Sequence, residues 1–154
     1  MTEQIQSHPT DFKVEKHFGP YFASCFLPHD ALDALIKMSD ELLSNKLTES
    51  HGQNLAGVID KEIKVYKSDM DKAGVDQLIE SCVRSYVVHC AKQHNFFKED
   101  YTFSSKINSA WIVSQYENEY NPMHNHTGCD ISAVIYLKGP DVKGRRNIES
   151  KKGK

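Results

Sequence analysis

The chain changes character near residue 95. Before it, apolar residues recur mostly at helical spacing; after it, they cluster or alternate at strand spacing. Tyr21 to Leu27 is apolar, rich in aromatics and closed by Pro28, which predicts a strand. Leu32, Leu35, Ile36, Leu42 and Leu43 then follow a helical period, so a helix is predicted over 31–43 with Asp30 as its N-cap. Asn45 to Gly57 is polar and reads as a loop, and Glu62 to Tyr66 alternates weakly, as a short strand would. Val75, Leu78, Ile79, Cys82, Val83, Tyr86 and Cys90 repeat in the i, i+3, i+4, i+7 manner and predict a second helix over 73–94. Ile107 to Tyr116 reads as a strand centred on Trp111, Ile112 and Val113, followed by a polar turn over 117–122. Ile131 to Leu137 reads as another strand, with Ile131, Ala133, Ile135 and Leu137 on one face and Ser132, Val134 and Tyr136 on the other; Gly139-Pro140 stops it. Helices first and strands later make an α+β domain, with helices on one side of an antiparallel sheet.

Length and composition narrow this picture. The 154 residues suit one domain, and the formal net charge of -2 provides no general field for nucleic acid or a membrane surface. Residues 1–18 are polar and expected to be a flexible lead-in, the folded domain is expected over 19–140, and 141–154 are expected to form a flexible basic tail. That tail carries Lys143, Arg145, Arg146, Lys151, Lys152 and Lys154 with no aromatic residue between the charges, so it lacks the stacking platform of a nucleic-acid binder. Met1 to Thr10 contains no apolar stretch of the signal-peptide kind, and no run is long enough to span a membrane. The four cysteines, Cys25, Cys82, Cys90 and Cys129, form no CxxC, so the expectation is a cytoplasmic protein with reduced thiols. Cys82 and Cys90 fall on the apolar stripe of the second helix and read as small core residues.

Candidate chemistry centres on His124 and His126. Side chains at i and i+2 of an extended chain point to one face, so two imidazoles there can meet one metal ion. Neutral imidazole suits iron, zinc, copper and nickel. The same pair also suits two surface histidines in a polar loop, because 121–130 is turn-like. His89 and His94 read as helix-surface residues, and His8, His17, His29 and His51 as loop residues.

The flanks favour the metal. The run Tyr116-Glu-Asn-Glu-Tyr120-Asn-Pro-Met-His124-Asn-His126 resembles the metal-motif region of prolyl-4-hydroxylase-like 2-oxoglutarate/Fe(II) oxygenases. The following run, Asp130-Ile-Ser132-Ala-Val-Ile-Tyr136-Leu-Lys-Gly-Pro140, looks like the next strand of a phage and bacterial subgroup with HxH at the metal; Trp111 also fits. The resemblance is strongest from Trp111 to Pro140. It implies N-terminal helices packed on a partial double-stranded β-helix of jelly-roll or cupin-like form. It also implies an Fe(II)-dependent dioxygenase that couples oxidative decarboxylation of 2-oxoglutarate to hydroxylation of an unidentified substrate. His124 matches the first metal ligand, and His126 stands where the family usually has a carboxylate. Tyr116, Tyr120 and Tyr136 are implied as candidates for lining the 2-oxoglutarate pocket, since a phenol can donate to a carboxylate; each also reads as an aromatic packed in the sheet, a reading at least equal for Tyr120 and Tyr136.

Two departures qualify that inheritance. A neutral His126 in place of a carboxylate leaves the metal with higher net charge, and Asp130 would reach it only through a turn. The family's distal His and its cosubstrate-anchoring Arg have no counterpart: no His follows His126, and Arg145 and Arg146 come too soon in the chain. The expectation is a fragment, an incomplete copy, or a homo-oligomer whose mate supplies the missing half. Two alternatives stand beside the oxygenase: a non-enzymatic module that offers an open sheet edge to a partner, and a small zinc site at His124, His126 and Cys129.

Overall fold

The computed structural model describes residues 8–51, 58–96, 98 and 102–139. Its elements are β1 (Thr10–Glu15), β2 (Phe22–Phe26), α1 (His29–Ser44), β3 (Lys61–Val65), α2 (Lys67–Ala73), α3 (Asp76–Gln93) and β4 (Ala110–Ser114). The domain is α+β. Among the described residues the sheets are two antiparallel pairs, β1–β2 and β3–β4, and no double-stranded β-helix is formed.

The first pair places a strand, β1, within the stretch expected as a polar lead-in. Phe12 and Val14 are half-buried while Lys13 and Glu15 are exposed, and Val14 lies opposite Ala23. The weak alternation is enough for a strand because β2 supplies the ladder. α1 starts at His29 rather than Ala31, with Pro28 at its N-cap; Leu32 N–H donates to the Pro28 carbonyl at 3.0 Å, and Asp30 lies in the first turn instead of capping it. The predicted second helix over 73–94 forms as α3, and a further short helix, α2, precedes it. Gly74 adopts φ 72° and ψ 25°, a left-handed conformation that suits glycine and closes α2 before α3 begins. Asp69 helps to start α2 by accepting the Tyr66 N–H at 2.8 Å.

The core lies where α1, α2 and the start of α3 meet one face of β3–β4. Leu35, Val65, Met70, Val75 and Ile112 are buried there, with Leu27, Met38, Ile79 and Leu137 packed against them. Leu78 of α3 is also buried. Farther along, α3 braces β2: Tyr86 donates its hydroxyl to the Tyr21 carbonyl at 2.9 Å, and the Tyr21 ring meets His89 and His94 edge-on. Cys82 and Cys90 are half-buried free thiols that lie outside the core cluster rather than in it as expected. Burial first, then the neighbouring Cys25, pushes the Cys82 thiol up to about 12. It is therefore a packing group rather than a nucleophile.

The predicted strand over 131–137 is not formed. The run closes on the core at Leu137, and Lys138 pairs with Asp40 of α1 at 2.6 Å. Val134 and Tyr136 remain 74% and 88% exposed, and no neighbouring strand pairs with the run among the described residues. Alternation prepares a strand but does not supply a hydrogen-bonding partner. No described helix is long and apolar enough to cross a membrane. The basic tail predicted over 141–154 lies outside the described residues.

Candidate metal centre

β3 and β4 run in strict antiparallel register, with Lys64 opposite Trp111 and Glu62 opposite Val113. Residues opposite one another share a face. Ile63, Val65, Ala110 and Ile112 turn to the helices, which leaves Glu62, Lys64, Trp111 and Val113 on the other side. The free edge of β3 takes up a short extended piece: Ser50 bridges to Ile63, His51 N–H donates to the Glu62 carbonyl at 2.8 Å, and Lys64 N–H donates to the Glu49 carbonyl at 3.0 Å. This register adds Glu49 and His51 to the polar face.

A tight turn after β4 swings the chain back over that face. Glu119 accepts the Tyr116 N–H at 2.7 Å and the Asp60 N–H at 3.1 Å, and Tyr120 exchanges backbone bonds with Val58. The loop that follows is tied at its far end, where Asn108 Nδ2 donates to the Gly128 carbonyl at 2.9 Å. Gly128 has φ 77°, a conformation costly for other residues. Between these two ties the loop and the sheet enclose an open cavity of about 380 Å³, within the usual range for small-ligand sites. Its wall includes His51, Trp111, His124, His126 and Cys129, with amide and hydroxyl groups of Asn108, Asn125 and Thr127.

His124 and His126 meet in this cavity, as their spacing predicts. Their Nε2 atoms are 3.2 Å apart and the rings are set at 74°. The Pro122 carbonyl lies 2.8 Å from His124 Nδ1. A carbonyl only accepts, so Nδ1 carries the hydrogen and Nε2 presents a lone pair. His126 Nε2–H then donates to it. Two nitrogens bound side by side to one metal at about 2.0–2.1 Å would stand roughly 3.0–3.4 Å apart. The observed spacing fits two adjacent ligands, and the Pro122 contact is the outer-shell bond that metal-binding histidines commonly make. Trp111 closes one side, its ring 5.7 Å from that of His126.

The third ligand is not evident. No group of three or more His, Cys, Asp or Glu is gathered for a metal among the described residues. Cys129 lines the cavity but turns its thiol toward the His126 carbonyl, 3.9 Å away. Asp130 is exposed and outside the cavity wall. Tyr116, Tyr120 and Tyr136 are 60%, 58% and 88% exposed, and none lines the cavity.

One cavity residue was illegible in the sequence. His51 stacks on Trp111 at 4.9 Å with an interplanar angle of 18°. It lies in a polar loop and gains its position only from non-local pairing with β3. Beside it, Glu62 is 4% exposed, and its Oε1 meets no hydrogen-bond partner among the described residues. Burial raises the Glu62 carboxyl above its ordinary value, and the charge of His51 partly offsets this. No family model matches the chain, and neither a curated protein nor a solved structure does.

Proposed function

We propose that the chain carries part of the metal centre of an Fe(II)/2-oxoglutarate-dependent oxygenase, with His124 and His126 as two ligands and a jelly-roll sheet as the parent architecture. The supporting observation is the facing pair of imidazole nitrogens 3.2 Å apart, one with its tautomer set by Pro122. The resemblance around Trp111 to Pro140 selects iron and 2-oxoglutarate among the metals and ligands that such a pair admits. When bound, they would use dioxygen to convert 2-oxoglutarate to succinate and carbon dioxide, one oxygen atom entering succinate and the other a substrate C–H bond as hydroxyl.

The chain's own residues prepare that chemistry. Pro122 holds the His124 lone pair toward the metal position. His126 must shift its hydrogen from Nε2 to Nδ1 to present the same donor. Trp111 walls off one side from water. The thiols stay reduced in this reading, with cytoplasmic iron available. Anaerobic titration with Fe(II) tests it: near-stoichiometric binding is expected, with a loss of more than about 100-fold in affinity for His124→Ala, beyond what removal of an outer-shell partner costs. Unchanged iron binding in that variant contradicts the assignment.

Cys129 in the cavity wall favours a second reading, a zinc site of two imidazoles and one thiolate. Loss of metal in Cys129→Ser would support zinc; retention supports the oxygenase-type centre.

A further inference from the structure

The run over 131–137 has the composition of a strand and no ladder to belong to. Among the described residues it enters no helix, turn or strand, and its backbone makes no hydrogen bond to other backbone. Its centre is apolar on both faces, with Ile135 41%, Val134 74% and Tyr136 88% exposed. It is anchored at Leu137, which packs on the core, and at Lys138, which pairs with Asp40 at 2.6 Å. β-branched and aromatic residues with free backbone groups make an edge that a further strand can join.

The sequence of the run specifies that strand. Read in reverse about Val134, residues 130–138 are complementary to themselves. Antiparallel pairing with a second copy in this register sets Asp130 opposite the second copy's Lys138 at both ends of the ladder. It also sets Ile131 opposite Leu137, Ala133 opposite Ile135, Ser132 opposite Tyr136, and Val134 opposite Val134. Opposed residues share a face. One face therefore gathers Ile131, Ala133, Ile135 and Leu137 from both copies, and Leu137 already joins the core, so the core continues across the two-fold axis. The other face brings Val134 onto Val134, with an Asp130–Lys138 pair at each end.

Other registers lose these matches. A slip of one residue sets Ile131 opposite Tyr136 and Ala133 opposite Val134, which mixes the two faces. A slip of two sets Lys138 opposite either Ser132 or Gly128, and in the first case draws Pro140, which has no N–H, into the ladder. Asp130 and Lys138 are both exposed. The Lys138 ammonium has three hydrogens, so it can keep Asp40 and still donate to a second carboxylate.

We infer that residues 130–138 pair with the same residues of a second copy of this chain as antiparallel strands about Val134, and that Asp130 and Lys138 fix the register. The two-fold axis satisfies both exposed runs at once, so this contact closes at a dimer. One strand pair is a small interface, so the dissociation constant falls between about 1 μM and 1 mM. The inference is independent of the proposed metal centre.

Sedimentation velocity on the full chain over a concentration series tests it. The parent should pass from monomer to dimer. Asp130→Lys and Lys138→Asp each turn both opposite-charge pairs into like-charge pairs and should weaken dimerisation by about tenfold or more. An equimolar mixture of the two variants restores both pairs in the heterodimer, as the double variant does in its homodimer, and both should recover dimerisation. Val134→Lys sets two ammonium groups against each other on the axis and should abolish it while leaving both ends intact. Asp40→Asn frees Lys138 within the chain and should dimerise at least as tightly as the parent. A parent that stays monomeric up to about 1 mM overturns the inference. Dimerisation indifferent to Val134→Lys and to both single charge variants overturns it too, as does a loss in those charge variants that neither the mixture nor the double variant recovers.

Discussion

A single carbonyl decides which nitrogen of His124 faces its neighbour. The Pro122 oxygen cannot donate, so the imidazole beside it must carry its hydrogen on Nδ1. Nitrogen-15 correlation spectra of the metal-free chain should therefore show His124 as the Nδ1–H tautomer and His126 as the Nε2–H tautomer, with His126 switching when metal binds. The reverse assignment for His124 would remove the basis for its role as a ligand. Glu62 gives the second prediction at this scale. Its carboxyl is raised by burial, so the folded state keeps a proton that the unfolded chain releases. This carboxyl subtracts stability as pH climbs from the ordinary carboxylate range through the raised value. Glu62→Gln should therefore have a higher urea midpoint than the parent at neutral pH, with the difference gone near about pH 4, below the unperturbed glutamate value. An equal difference at both pH values would show that the carboxyl's ionisation is not its cause.

At the scale of elements, stability sits where α3 begins. Leu78 is 2% exposed, so Leu78→Ala should cost about 2–5 kcal/mol in chemical denaturation. Gly74→Ala forces a left-handed conformation on a residue with a Cβ and should cost about 1–2 kcal/mol while leaving α3 helical by circular dichroism. What the sequence makes legible follows from how local each signal is. β2, α1, α3 and β4 announce themselves because their apolar residues repeat within the element itself. α2 does not: Lys67–Ala73 buries one residue, Met70, and owes its ends to Asp69 and Gly74. β1 has the alternation of Phe12 and Val14, masked by polar company until β2 pairs with it. The run over 131–137 misleads in the opposite sense, with strong alternation and no neighbour. The site divides along the same line. His124 and His126 are two residues apart and legible, whereas His51 reaches the cavity only through the register of Ser50 on Ile63.

Taken whole, the molecule buries one face of β3–β4 under helices and leaves the other face, with its cavity, open to solvent. Tyr116, Met123, Val134 and Tyr136, all beyond β4, are exposed, a concentration of apolar surface. Sedimentation velocity should show concentration-dependent self-association, reduced in the double variant Val134→Lys, Tyr136→Lys with metal binding intact. Association unaffected by both changes would place the contact elsewhere. The central claim, that this open face holds a metal between two histidines, is tested most directly by metal content per chain after anaerobic reconstitution with Fe(II) and desalting. The account predicts close to one iron per parent chain and almost none for His124→Ala or His126→Ala. Equal iron in the parent and both variants, or none in the parent, would contradict it.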